Sequence, residues 1–160
     1  MLLQLLVSFL TSFVFGAKVY NCPDGWTNNT NCGYTACYYL IEADGTMNTI
    51  INDLCPKMNN LSYGASIHCA DEKAFTSSTF GKACTGMYLY GVTWSPTAFV
   101  NQDGTPIDYT NWAASEPNDN TSNLAVLQTA GGSWYDVGGT TCTHILCKIK
   151  LNTKTCKNKA

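Results

Sequence analysis

Arginine is absent from this 160-residue sequence, and charge of either sign is scarce: nine lysines face eleven acids, giving a formal net charge of −2. A near-neutral chain without arginine has no global field to draw in nucleic acid, so none is expected as a partner. Histidine is nearly missing, with only His68 and His144, and no CxxC or Cys/His spacing of a zinc site occurs. Internal repeats, linkers and low-complexity blocks are absent as well, which makes a single domain the economical expectation. The one local exception to the weak charge is the C-terminus, where Lys148, Lys150, Lys154, Lys157 and Lys159 crowd together. That run reads as a solvated strand and tail.

Long hydrophobic runs are confined to the start. MLLQLLVSFLTSFVFGA, residues 1–17, is apolar, uncharged in its side chains and ends in small residues. It reads as a secretory signal peptide cleaved after Ala17, too short to be a good membrane span. Residues 18–160 are then one secreted, extracellular domain with a short basic tail and no membrane insertion, large enough to bury a core of its own. All nine cysteines fall in this part: Cys22, Cys32, Cys37, Cys55, Cys69, Cys84, Cys142, Cys147 and Cys156. Behind a signal peptide they read as a disulfide framework. The odd count leaves one thiol unpaired or bridging two copies, which offers a route to a homo-oligomer. Sequons at Asn28, Asn60 and Asn120 suit a secreted glycoprotein.

The periodicities describe an α+β chain. CPDGW is a turn, TNNTNCG a polar loop, and ACYYLIE has the aromatic and β-branched density of a strand. Met47, Ile50, Ile51, Leu54 and Met58 recur at helical steps, predicting an amphipathic helix over 46–58 with Cys55 beside its apolar stripe. CADEKAFTSSTF predicts a second helix, with Asp71 and Glu72 near its positive end. MYLYGVTW, LAVLQ, SWYDV and HILCKIKL read as strands. Between them lies a long excursion punctuated by SP, DG, TP and EP. It holds Trp94, Phe99, Tyr109 and Trp112, which favour burial, so it reads as an ordered functional loop. Trp94, Trp112 and Trp134 are expected in the core, and His68 as a structural histidine.

Several of these segments, taken in order, resemble the C-type lectin-like domain family: CPDGW (22–26), CYYL (37–40), a helix carrying a cysteine, GASIHCADEKAF (64–75), DGTPIDYTNW (103–112), EPN (116–118), WYD (134–136) and ILCK (145–148). The match runs from Cys22 to about Lys150. The resemblance implies two helices, a small irregular antiparallel sheet and a long ligand-binding loop. It implies bridges Cys22–Cys37 and Cys55–Cys147. The family's further bridge has its positions near Leu124 and Gly139, neither of which is cysteine. Cys32, Cys69, Cys84, Cys142 and Cys156 are thereby left without family partners. Cys69 and Cys84 flank the second helix, whose span of about 16 Å far exceeds the Cα separation of roughly 7 Å that a bridge tolerates. Cys142 is a candidate partner for one of them, and Cys156 for Cys32 or for another subunit.

In the lectin branch of that family, EPN and a WND-type pair build a calcium cage, and EPN goes with mannose-type sugars such as mannose, GlcNAc and fucose. The chemistry is consistent with the residues. Calcium takes six to eight oxygens, and Glu116, Asn118 and Asp136 supply carboxylate and amide oxygens. The family holds the proline between the first two in the cis form. Two departures stand out: Tyr135 replaces the asparagine, and the downstream glutamate is missing from DNTSN, residues 119–123. Asn123 is the expected substitute ligand, with Asp119, Ser122 and Tyr135 as auxiliary candidates. The expected function is calcium-dependent binding of mannose-type glycans on microbial or host surfaces, as in innate immunity. The alternative is a lectin-like domain with a degenerate cage that binds a protein or surface ligand without calcium. No enzymatic activity is expected, because a cysteine hydrolase needs a free thiol beside a histidine.

Overall fold

A computed structural model describes residues 21–42, 54–89, 99–118, 124–137 and 143–151. The signal segment, most of the first predicted helix, Trp94, Asp119, Asn120, Ser122, Asn123, Cys142, Cys156 and the lysines of the tail lie outside the described residues.

The chain enters through β1 (Thr27–Asn31) and β2 (Tyr34–Glu42), an antiparallel hairpin. Its two-residue turn is Cys32–Gly33, both at positive φ (51° and 77°), the geometry that matches the twist of paired strands. TNNTN was expected as loop and is instead a strand. Its polar residues are tolerated because β1 is an outer strand, paired only to β2 and half-exposed along its length. Residues 54–58 are helical (α1), followed by the short β3 (Tyr63–Gly64) and helix α2 (Ala70–Phe80). Then come β4 (Cys84–Leu89), β5 (Phe99–Asn101), β6 (Leu124–Gln128), β7 (Trp134–Val137) and β8 (His144–Leu151).

The strands form one sheet in the order β1-β2-β8-β4-β6-β7, with β3 added to β8 and β5 to β4. Every pairing is antiparallel except β4 with β8, which meet in parallel at Cys84 and Ile145. The last strand therefore lies at the centre, beside the first hairpin. Tyr39 opposes Cys147 across that pairing, so the two ends of the chain close on each other.

Three apolar clusters fill the interior. Cys55, Cys84, Ile145 and Cys147 form one, Ile67, Phe99, Val126 and Trp134 a second, and Ala36, Tyr38, Ala65, Ala83 and Leu146 a third. Both implied bridges are present: Cys22–Cys37 and Cys55–Cys147 each have a Cα separation of 5.4 Å. Cys32 pairs with Cys69, not with Cys156, at a Cα separation of 5.7 Å, because the hairpin turn rests on the N-cap of α2. Cys84 is also disulfide-bonded. Cys69 and Cys84 are thus not joined to each other, as the helix between them requires.

Lys148 corrects the reading of the basic run. It is 3% exposed, and its Nζ lies 2.7 Å from Oε1 of the fully buried Glu72. The amine also donates to the Ser66 carbonyl at 2.6 Å and to the Tyr34 hydroxyl at 2.8 Å. Burial lowers its pKa, opposed by the Glu72 charge. Glu72 in turn accepts from the Tyr34 and Tyr38 hydroxyls and, at 2.7 Å, from the His68 amide. It occupies the third position of α2 and reaches back past the N-cap, so one side chain satisfies the amide of His68, just before the helix, and neutralises a buried cation. Burial, followed by the Glu72 charge, pushes both tyrosines well above their usual 10.

Candidate functional site

The chain leaving β5 is fastened in three successive places, the last of them EPN itself. The first is an Asp-Gly turn. Asp103 accepts from the Thr105 amide at 3.0 Å and its hydroxyl at 2.5 Å, and from Ser66 Oγ at 2.6 Å. Burial works against its charge, but these donors and Lys148 outweigh it and hold the carboxyl below its usual value. His68 sits beside this turn with Nδ1 2.6 Å from Asp108 Oδ1 and Nε2 3.1 Å from the hydroxyls of both Ser66 and Thr105. It is structural, as expected. The Ser66–Asp103 and His68–Asp108 contacts, which join residues nearly forty positions apart, were not foreseen.

The second fastening is to β7. Trp134 N–H donates to the Asn111 carbonyl at 2.9 Å, and Ala113 N–H donates to the Trp134 carbonyl at 3.0 Å. Asn111 adds its side-chain amide to the Gly132 carbonyl at 2.8 Å. Trp112 packs against Phe99 and, edge to face, against Trp134. Trp134 is fully buried, with its indole N–H donating to Gln128 at 3.0 Å. Both tryptophans belong to the footing of the loop, as their size suggested.

The third is the EPN turn itself. Glu116 N–H closes on the Ala113 carbonyl at 3.1 Å, and the Glu116–Pro117 bond is cis. Asn118 donates from its backbone to Asp136 Oδ1 at 3.0 Å and from its side-chain amide to Glu116 Oε1 at 2.7 Å. Glu116, Asn118 and Asp136 therefore converge, two residues of β7 beyond the Trp134 fastening. Asp136 is 7% exposed. Glu116 Oε2 is buried and finds no hydrogen-bond partner. The Glu116 pKa is raised, first because its protonated form shares a hydrogen with Asp136, then by burial and by repulsion from the Asp136 charge.

Tyr135 stands between Trp134 and Asp136 on β7, and the alternation of a strand turns it outward, 37% exposed, while its two neighbours are buried. It makes no hydrogen bond to the three converging residues. Among the described residues no cluster of three or more His, Cys, Asp or Glu surrounds a point where a metal would sit. The donor set nevertheless fits a hard cation: two carboxylates forced together, one oxygen of them orphaned, and an amide whose Oδ1 is left over once its NH2 has donated to Glu116. Further oxygens would have to come from residues 119–123.

No family model matches the sequence, and no curated protein matches it. Solved structures do. The C-type carbohydrate-recognition domain of cow CD23, determined in the presence of a GlcNAc2Man3 oligosaccharide, is 23% identical, with a TM-score of 0.68 over 82% of this chain and 98% of that one. The C-type lectin CEL-I of Cucumaria echinata is 22% identical, with a TM-score of 0.63 over 81% of this chain and 97% of that one. A calcium-independent type II antifreeze protein is 23% identical, with a TM-score of 0.65 over 82% of this chain and 96% of that one. The fold is that of the C-type lectin-like domain.

Proposed function

We propose that this protein is a secreted, calcium-dependent carbohydrate-binding module for mannose-type sugars. The observation that carries the reading is the buried, unpartnered Oε2 of Glu116 beside Asp136. An unpaired buried carboxylate oxygen is costly, and a cation held by Glu116, Asn118 and Asp136 would remove both the vacancy and the repulsion. Calcium supplies a Lewis-acidic centre that accepts adjacent sugar hydroxyls. The chain's own residues do the rest. Glu116 and Asp136 accept hydrogen bonds from the hydroxyls, Asn118 donates from its amide, and the fastened loop presents all three without reorganisation. The similar carbohydrate-recognition domain of cow CD23, determined in the presence of a GlcNAc2Man3 oligosaccharide, supports the general class. Mannose preference rests on the EPN sequence. A single shallow site binds weakly, so assembly into an oligomer would add avidity.

The calcium-independent antifreeze protein keeps a second reading in play, in which the same fold binds a ligand without metal. Calorimetric titration with calcium, followed by elution from immobilised mannose with EDTA, separates the two. Calcium uptake with EDTA-reversible retention is the expected result. Retention that ignores EDTA supports the metal-free reading, and neither uptake nor retention removes the first.

A further inference from the structure

A cleft of about 450 Å³ opens beside the Cys32–Cys69 disulfide and shares no lining residue with EPN or Asp136; its walls include the bridge itself, Tyr34, His68, Asp108 and Lys150. Its volume falls in the range of small-molecule sites, roughly 300–1,000 Å³. The bridge differs from the other two that are fully described. Cys37, Cys55 and Cys147 are all 0% exposed, so each of those bridges has at least one sealed sulfur residue, whereas Cys32 and Cys69 are both partly exposed.

The two sulfurs are chemically unequal. Cys69 is the N-cap of α2 and makes no side-chain cap bond, so a thiolate there would meet the unsatisfied amides of the first turn and the positive end of the helix. Cys32 Sγ lies 3.5 Å from the Glu72 carboxylate, which disfavours negative charge on it. Cys32 also holds a left-handed φ of 51°, a conformation unusual for a residue other than glycine, asparagine or aspartate. Cys69 is therefore the better leaving group, and Cys32 the sulfur to be attacked.

The cleft walls add a preference for who attacks. Lys150 is exposed and holds its Nζ 4.3 Å above the Tyr34 ring, so its charge is fixed at one wall. Asp108 is 52% exposed and is oriented from the other wall by His68. One cation and one anion face a single cavity. Such a pair suits a ligand with a carboxylate and an ammonium group of its own.

We propose that Cys32–Cys69 is a thiol–disulfide exchange site that takes small zwitterionic amino-acid thiols, with Lys150 receiving the carboxylate and Asp108 the ammonium. The incoming thiolate forms a bond to Cys32 Sγ while the Cys32–Cys69 bond breaks and its electron pair leaves on Cys69 Sγ. The product carries a mixed disulfide on Cys32 and a helix-capping thiolate on Cys69. A second thiolate attacks the small-molecule sulfur of that adduct, releasing the symmetrical disulfide and leaving Cys32 to take up a proton. Two thiols are oxidised, and one protein disulfide is reduced.

The test uses the full native protein, incubated with cysteine or with the neutral 2-mercaptoethanol, trapped by acid, alkylated and peptide-mapped. The first bridge to open should be Cys32–Cys69, with the adduct on Cys32. Per unit of thiolate, cysteine should react faster than 2-mercaptoethanol by up to about fivefold for each exposed ion pair. Lys150→Ala and Asp108→Asn should each lower the ratio of the cysteine rate to the 2-mercaptoethanol rate. Another bridge opening first, an adduct on Cys69, or equal rates for the two thiols in the wild-type protein would overturn the proposal.

Discussion

Replacing Glu72 by leucine should be among the most damaging single changes this fold can suffer, although the residue is nowhere near EPN. Glu72 is fully buried and accepts from Lys148 Nζ, the Tyr34 and Tyr38 hydroxyls and the His68 amide. Without it, Lys148 keeps only neutral acceptors, the Ser66 carbonyl and hydroxyl and the Tyr34 oxygen. Tyr38 and the His68 N–H lose their acceptor altogether. Removing one member of a buried ion pair costs about 3–5 kcal/mol, so Glu72→Leu should fall near the upper figure. Lys148→Met should be milder, about 2–3 kcal/mol, because Glu72 retains three donors to its charge. The double replacement removes both charges at once and should cost clearly less than the sum, with a coupling of about 2 kcal/mol or more. Urea unfolding followed by tryptophan fluorescence, disulfides intact, measures all three. Additivity within about 0.5 kcal/mol would refute the claim that the two residues act as a unit.

Two further outcomes follow from the loop. Glu116 ionises above its ordinary 4.5 in the folded protein. Protonation therefore favours the folded, metal-free state: stability is lost as pH rises from 4.5 through the raised value, and the loss is complete above it. Calcium needs the ionised form, so its affinity should fall as pH drops through the same window. Glu116→Gln should flatten the pH dependence of the melting temperature and abolish calcium stabilisation together, and a retained calcium shift would contradict the assignment. Gly132 has φ +85°, and a Cβ there would lie 2.6 Å from Lys73 Cδ. Gly132→Ala should therefore cost about 1–2 kcal/mol in urea unfolding, mostly from backbone strain since the Lys73 side chain can move aside; a neutral effect would show that the β6–β7 turn adapts.

Strands β2, β6, β7 and β8 and helix α2 were legible because their signal is local. HILCKIKL and LAVLQ became strands with the expected bounds, and CADEKAFTSSTF became a helix with its acids in the first turn. The EPN geometry was legible only through the resemblance, since nothing in a proline flanked by an acid and an amide says that Asp136, eighteen residues after Asn118, lies beside them. Lys148 was misjudged, and the buried pairing of Glu72 missed, for the same kind of reason. A lysine in a basic run and a glutamate in a first helical turn each have a sufficient local explanation, so nothing pointed to their pairing across the core. Cys32–Cys69 was open because parity and spacing leave many pairings, and only the fold of the hairpin onto α2 selects one. TNNTN failed as a loop because its strand character comes from its partner, not from its own propensity.

Two glutamates in this protein make the division between scaffold and site concrete. Glu72 is sealed in the core with each neighbouring donor engaged and a lysine to balance it. That is what a buried carboxylate looks like when it serves the fold. Glu116 sits at the end of a loop fastened at Asp103, Asn111 and Ala113, yet one of its oxygens has no donor and it faces another acid, Asp136. Rigidity together with unsatisfied like charge is not explained by folding, because a single lysine or amide donor at that point would stabilise the chain at no cost to the turn. Under the proposed function, a ligand of opposite charge arriving after folding would relieve the repulsion that the folded loop holds in place.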